Sequence, residues 1–294
     1  MCIRDRLAAL SFITFSFPNI VHAKFIKKDF FNHVSFNPNA DYAKRSQKIK
    51  NNFVRIFSSS FDSYGANLIV NLKIQNNKVN AEATRRWNDW QINIYGGLLS
   101  HHLMTNDALV LIMCHELAHH IGGAPKKELL YASSEAQADY WATAVCLKKY
   151  FRETMSKVEL SERAVQSKPH LTEEVQTDCA TAYPTNVEQN ICVLSVQASI
   201  EVTNFLNALR KKPAKISLST PDQKTVMRTN IDYPRLQCRL DTFFQGALCG
   251  LYPDSNPHPF DQRDELLAGC MEQNDHLIGR RPSCWYKPFS VIPH

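Results

Sequence analysis

Residues 105–125 read TNDALVLIMCHELAHHIGGAP, and this stretch decides the local fold. Thr105 and Asp107 are typical of a helix start, because a hydroxyl caps free backbone N–H groups and a carboxylate is stabilised near the positive end of the helix dipole. The apolar run that follows predicts a helix buried on all sides. Two glycines and then Pro125 predict its end.

An HExxH motif lies on this predicted helix and consists of His115, Glu116 and His119. Two imidazoles four residues apart share one helix face, where both can reach a single zinc ion. The Glu between them can then act as general base toward a zinc-bound water. Catalytic zinc also needs a third protein ligand and one open position. We expect Glu135 to be that ligand, at the start of a second helix capped by Ser133-Ser134.

Two further carboxylates bear on this predicted site. Asp139 follows Glu135 by one helical turn, so we expect it to accept a hydrogen bond from the outer N–H of a zinc-bound imidazole. Glu128 is the alternative third ligand, in a lysine-flanked segment that reads as a turn. The sequence therefore predicts one zinc ion per chain, held by His115, His119 and Glu135.

The order of HExxH, a downstream Glu and an Asp four residues later resembles the glutamate-zincin metallopeptidases. Within that group it is similar to the M48-type family. Val79-Asn80-Ala81 resembles the family's edge strand, and residues 91–99 resemble its second strand and glycine-leucine helix start. Residues 233–239 are similar to a late element of the same family. The likeness covers roughly residues 66–150 and a short patch beyond.

This resemblance implies a zinc-dependent endopeptidase with a zincin-like core. Peptide bonds would be hydrolysed by attack of a zinc-bound water, with Glu116 as general base. An extended substrate would add to the edge strand at Asn80 and Ala81, held by backbone hydrogen bonds. The sequence does not choose among the candidates for a transition-state stabiliser, which are Arg239, Tyr233, His258 and His170.

The first 23 residues have the features of a secretory signal peptide. An apolar run at 7–17 follows Arg4 and Arg6 and precedes the small-residue pattern Val21-His22-Ala23, which predicts cleavage before Lys24. The run is shorter than the roughly twenty residues that span a bilayer. We therefore expect an exported protein, in the bacterial periplasm or, as the alternative, secreted to the medium.

Cysteine usage agrees with export. Eight of the nine cysteines follow the predicted cleavage point, and an even number in an exported chain predicts disulfides. If residues 233–250 form one helix, Cys238 and Cys249 lie about 16 Å apart along it and must pair with other elements. Cys114 and Cys146, on the two zinc-site helices, are either paired or two buried thiols.

The fold class predicted is α+β and predominantly helical, with a small antiparallel sheet. Residues 68–74 and 78–84 are predicted to form a hairpin, with residues 91–95 as a third strand. The predicted regions are a signal peptide (1–23), an N-terminal helical segment (24–65), the zinc metallopeptidase core (66–150) and a disulfide-stapled helical region packed on it (151–294).

The formal charge of +6 is spread along the chain and argues against a nucleic-acid partner. We expect a peptide or unfolded protein as substrate, in quality control or processing, and no transmembrane segment after removal of the signal. The alternative function is a non-catalytic exported binding or chaperone-like protein with a vestigial or structural zinc site. Glu116 discriminates between the two, because a site that has lost its activity tends to lose its base.

Overall fold

The computed structural model describes residues 23–28, 30–31, 41–127, 131–250, 265, 268–271 and 277–288. These residues form an α+β fold that is mostly helical. The helices are α1 (Asp41–Phe57), α2 (Gly96–Leu99), α3 (Asn106–Ile121), α4 (Glu135–Trp141), α5 (Leu147–Thr154), α6 (Lys157–Ser167), α7 (Glu173–Ala182), α8 (Asn186–Ala208) and α9 (Leu236–Leu248). A π-helical stretch, Ala142–Cys146, joins α4 to α5, and 3-10 turns cover Ser58–Tyr64 and Lys168–His170.

The strands form one mixed sheet and one short ribbon. They are β1 (Ala23–Lys24), β2 (Phe30–Phe31), β3 (Asn67–Lys73), β4 (Lys78–Val79), β5 (Ala81–Arg86) and β6 (Asp89–Tyr95). The sheet order is β1-β5-β6-β3, in which β1 and β6 are antiparallel to β5 and β3 is parallel to β6. The ribbon pairs β2 with β4.

The predicted hairpin between residues 68–74 and 78–84 is wrong, and so is the antiparallel sheet. The β5 strand pairs instead with β6, in register from Arg86 opposite Asp89. Only Trp87 and Asn88 separate the two strands, and Trp87 has a positive φ of 53°, as tight hairpin turns require. In the expected hairpin β3 would lie next to β5, but β6 occupies that position. The β3 strand therefore pairs with the other edge of β6, in parallel.

Several predicted helices are confirmed. The α1 helix lies within the predicted N-terminal helical segment and buries Ile49, Phe53 and Ile56 on one face. The helix considered over residues 233–250 is present in a shorter form, α9, because Arg235 and Cys249 at its two ends have extended backbone conformations. The helices α6 and α7 and the strands β1 and β2 were not predicted from the sequence.

All eight cysteines after the predicted signal are paired, in the disulfides Cys114–Cys146, Cys179–Cys192, Cys238–Cys284 and Cys249–Cys270. The prediction that Cys238 and Cys249 bond to other elements is confirmed. The Cys114–Cys146 bridge ties α3 to the π-helical stretch that continues α4. Four disulfides indicate an oxidising environment outside the cytoplasm.

The α8 helix is long and apolar enough to cross a bilayer, but 67% of its most apolar window is buried inside the protein. That burial is typical of a core helix. The α8 helix packs on α3, while α9 packs on α4 and on the π-helical stretch. Helices from the region after residue 151 therefore pack directly against α3 and α4. The part of the predicted signal peptide before Ala23 lies outside the described residues.

Candidate metal centre

The α3 helix carries two histidines into the interior on one face. Its start is capped by Thr105, whose hydroxyl accepts a hydrogen bond from the backbone N–H of Ala108 at 3.1 Å. Four residues apart, His115 and His119 are both fully buried, and their Nε2 atoms lie 3.0 Å apart. The predicted placement of HExxH on a buried helix is confirmed.

Glu135 meets these histidines from the first turn of α4. Ser134 caps that turn, as predicted, with its hydroxyl accepting from the N–H of Gln137. One oxygen of Glu135, Oε2, lies 3.4 Å from Nε2 of His115, and the other, Oε1, lies 3.8 Å from Nε2 of His119. The structure therefore brings the three predicted ligands together, with all three side chains inaccessible to solvent.

Each histidine is oriented by a contact at its other ring nitrogen. Nδ1 of His119 lies 2.9 Å from the carbonyl oxygen of Ser133, and Nδ1 of His115 lies 2.7 Å from Oδ1 of Asp139. These oxygens favour a proton on Nδ1 of each ring, and a neutral ring protonated there presents an Nε2 lone pair to the other. Two lone pairs 3.0 Å apart repel unless a proton or a metal ion lies between them.

Asp139 is itself held by a buried guanidinium. Nε and one terminal nitrogen of Arg239 each donate to a different oxygen of Asp139, both at 2.7 Å. Such a paired geometry fixes the plane of the carboxylate. Arg239 is 5% exposed, so this ion pair lies inside the protein. The predicted role of Asp139 beside a ligand histidine agrees with this geometry.

The third ligand also has a partner. The ammonium group of Lys127 contacts Oε1 of Glu135, while Oε2 has no hydrogen-bond partner among the described residues. One oxygen of Glu135 is therefore held by a cation and the other faces the histidines. Lys127 was not among the predicted site residues, since nothing in the local pattern distinguishes it from the adjacent Lys126.

Glu116 is a buried carboxylate that lacks hydrogen-bond partners. It is fully buried, and neither carboxylate oxygen has a hydrogen-bond partner in the described part of the chain. Burial raises its pKa to about 8. A buried carboxylate without partners costs free energy that a cation or a bound polar ligand can recover.

The imidazoles differ in their electrostatics. Burial disfavours protonation of His115, but the adjacent Asp139 carboxylate outweighs it and raises the pKa to about 9. Burial lowers the pKa of His119 to about 3. The nearby imidazoles and Lys127 outweigh burial at Glu135 and hold the pKa of its carboxyl well below the usual range. Among the three predicted ligands, Glu135 is therefore the most acidic group and His115 the most basic.

The donor set fits a zinc ion. Zinc bonds of about 2.1 Å at a tetrahedral angle place two ligand atoms about 3.4 Å apart. The two Nε2 atoms lie 3.0 Å apart, and the nearest Glu135 oxygen is Oε2 at 3.4 Å for His115 and Oε1 at 3.8 Å for His119. Two imidazole nitrogens and one carboxylate oxygen are a set that catalytic zinc uses. A second group of possible ligands, Asp222, Cys238 and Cys284, offers no thiolate because its two sulfurs form a disulfide.

The candidates for a transition-state stabiliser differ in their contacts and in their exposure. Two nitrogens of Arg239 donate to Asp139, and a third donates to the carbonyl oxygen of Phe25. Tyr233 lies beside the ligands, and burial with the charges of Glu135 and Glu116 raises its pKa well above the usual range. His170 is exposed at the end of a 3-10 turn. His258 lies outside the described residues, as does Glu128, the alternative third ligand.

The expected open edge at Asn80 and Ala81 is covered, and this corrects the prediction of a free edge strand. The backbone N–H of Phe25 donates to the carbonyl oxygen of Ala81 at 3.0 Å. The Asn80 side chain bonds both the N–H and the carbonyl of Ile26, each at 3.0 Å. The chain's own N-terminal segment is therefore the neighbour of this strand. No sequence signal identified it, because two residues of strand carry no detectable period.

Comparisons with known proteins identified no relative of this chain. No protein-family model matches the sequence, no curated protein matches it, and no solved structure matches its fold. The case for a function consequently depends on the geometry of this centre and on the resemblance carried by its motif.

Proposed function

We propose that this protein is a zinc-dependent endopeptidase of the glutamate-zincin kind, similar to the M48-type family. The observation that carries the proposal is the convergence of His115, His119 and Glu135 beside Glu116, a buried carboxylate without a bonding partner. A structural zinc site is usually closed by four protein ligands, whereas a catalytic one leaves a position open. Three ligands with an adjacent base are the catalytic arrangement.

A bound zinc ion would polarise the scissile carbonyl and lower the pKa of an attacking water. In its ionised form, Glu116 accepts the proton of that water on a carboxylate oxygen as the new C–O bond forms. It then delivers the proton to the amine nitrogen as the C–N bond breaks, so that Glu116 ends the cycle as it began. Asp139 and the Ser133 carbonyl keep both imidazoles in the tautomer that presents Nε2 to the metal.

Tyr233 is the proposed donor to the oxyanion of the tetrahedral intermediate. Its hydroxyl lies beside Glu135 and keeps its proton at neutral pH, because its pKa is raised. A neutral donor aimed at the reacting carbonyl stabilises charge that develops only during the reaction. With four disulfides and a predicted signal peptide, we place the enzyme in the bacterial periplasm, acting on peptides or unfolded proteins. Secretion to the medium is the alternative location.

Removal of zinc by 1,10-phenanthroline is expected to abolish cleavage of an unfolded test protein such as casein, and added zinc is expected to restore it. The thermal midpoint of unfolding should fall on chelation, because the metal binds only the folded site. Free zinc at ~100 to 1,000 times its dissociation constant would add about 3 to 4 kcal/mol of stability. Cleavage that persists after complete chelation would contradict the proposal. A zinc-dependent midpoint without any cleavage would favour the non-catalytic binding protein.

A further inference from the structure

The N-terminal segment, defined here as residues 23–28, lies along β5 as the outermost strand of the sheet. Ala23 pairs with Ala83 and Lys24 with Glu82 in antiparallel register. The pairing continues to Phe25, whose N–H donates to the carbonyl of Ala81. An extended chain is thus seated on the strand that borders α3.

Phe25 points from this segment toward the metal centre. It is fully buried, and its ring centroid lies 5.0 Å from that of His115, edge to face. The guanidinium of Arg239 lies 4.7 Å from the centre of the same ring. The Phe25 side chain therefore fills an apolar space whose walls include a proposed zinc ligand and the partner of Asp139.

Two consecutive carbonyl groups of the segment are held by residues of the centre. The Tyr233 hydroxyl donates to the carbonyl oxygen of Lys24, and a terminal nitrogen of Arg239 donates to that of Phe25 at 3.2 Å. Tyr233 is also the residue beside Glu135 that is proposed to stabilise the reacting oxyanion. The segment thus engages the strand edge, the apolar space and the proposed oxyanion donor together.

We propose that the N-terminal segment occupies the substrate groove of this protein, and that a substrate peptide must displace it. The inference rests on the proposed function and specifies its substrate: an extended peptide that pairs with β5 and places a large apolar side chain where Phe25 now lies. The backbone contacts are independent of sequence, so selectivity comes from this one apolar space.

The segment is held by contacts that a second peptide can reproduce one for one. After the predicted cleavage before Lys24, the mature chain keeps only Lys24 and Phe25 of the pairing with β5, and Lys27 and Lys28 are exposed immediately after the buried part. An incoming peptide competes with a segment already tethered nearby, at an effective concentration in the millimolar range. Weakening the segment should therefore increase the affinity for peptides added in solution.

Fluorescence anisotropy of a dye-labelled peptide with the sequence of residues 23–28, AKFIKK, tests this in the metal-free full chain, where no cleavage can occur. Phe25→Ala is expected to bind the peptide about tenfold or more tightly than the parent, because the tethered competitor loses its anchor. Lys27→Ala is the matched control in the exposed part of the segment and should bind like the parent. A peptide with Phe replaced by Ala should bind neither variant.

Equal affinity of the parent and Phe25→Ala for the labelled peptide would overturn the proposal, provided that both retain four disulfides. If Phe25→Ala does not fold, a chain with residues 24–28 replaced by Gly-Ser-Gly-Ser-Gly takes its place. It is also expected to bind the labelled peptide more tightly than the parent, and equal affinity would overturn the proposal. Zinc-dependent cleavage with no gain in peptide binding would refute only this inference. A gain in binding by a protein that holds no zinc would refute only the proposed function.

Discussion

Replacement of Glu116 by glutamine is expected to abolish peptide hydrolysis and to leave zinc in place. Glutamine keeps the shape of the side chain but cannot accept the proton of the attacking water. General-base catalysis contributes about 10² to 10⁴ in rate, so kcat should fall by about that factor. Zinc content should be unchanged, because the ligands are His115, His119 and Glu135. The measurement is kcat on an unfolded protein substrate together with metal analysis of the same sample.

Glu82→Gln is the matched control for this variant. Glu82 is a second carboxylate of the same region, 6% exposed, and the Tyr95 hydroxyl donates to it. Its charge contributes to the raised pKa of Glu116, but it is neither a proposed zinc ligand nor the proposed base. We expect Glu82→Gln to retain most of the activity. Unchanged turnover in a fully metal-loaded Glu116→Gln would refute the assignment of the base.

Asp139→Asn is expected to weaken both zinc binding and the fold. Loss of the carboxylate partner of a ligand histidine typically reduces metal affinity by about 10- to 100-fold. The same change leaves the buried Arg239 guanidinium without a counter-charge, and breaking a buried ion pair in this way costs about 3 to 5 kcal/mol. Zinc competition with a chromophoric chelator and denaturant unfolding of the metal-free protein measure the two effects separately.

The double variant Asp139→Asn with Arg239→Met separates the two roles of Asp139. Without the guanidinium no charge is left uncompensated, so stability should recover much of the loss. Zinc affinity should stay low, since Nδ1 of His115 still lacks its carboxylate. If zinc affinity returned with stability, Asp139 would serve only the fold and would not position His115.

The parts of the site that depend on neighbouring residues could be predicted from the sequence. A helix cap acts within three residues, so Thr105 and Ser134 mark the starts of α3 and α4 correctly. The spacing of His115 and His119 then fixes their common face. Glu135 follows because its cap places it in the first turn of the next helix.

The sheet order could not be predicted in the same way. Strands 68–74 and 78–84 are adjacent in sequence and alternate suitably, which favours a hairpin. The choice is made by β6, which forms a tighter turn with β5 at Trp87 and so inserts between the two. That competition is between long-range pairings, and a local pattern contains no information about it.

The missed residues of the centre are contributed by distant or irregular segments. Lys127 comes from the loop between α3 and α4, and Phe25 comes from a segment about ninety residues before His115. Arg239 was a candidate donor, but the sequence could not show that two of its nitrogens donate to Asp139. Each of these side chains is recognised only from its three-dimensional partners.

The most direct test of the metal centre is the zinc content of the oxidised, folded protein beside its Glu135→Ala and Glu128→Ala variants. The account predicts about one zinc per chain in the parent and in Glu128→Ala, with a marked loss in Glu135→Ala. Loss in Glu128→Ala with retention in Glu135→Ala would assign the third ligand to the other carboxylate. A folded parent that takes up no zinc even after metal loading would contradict the account.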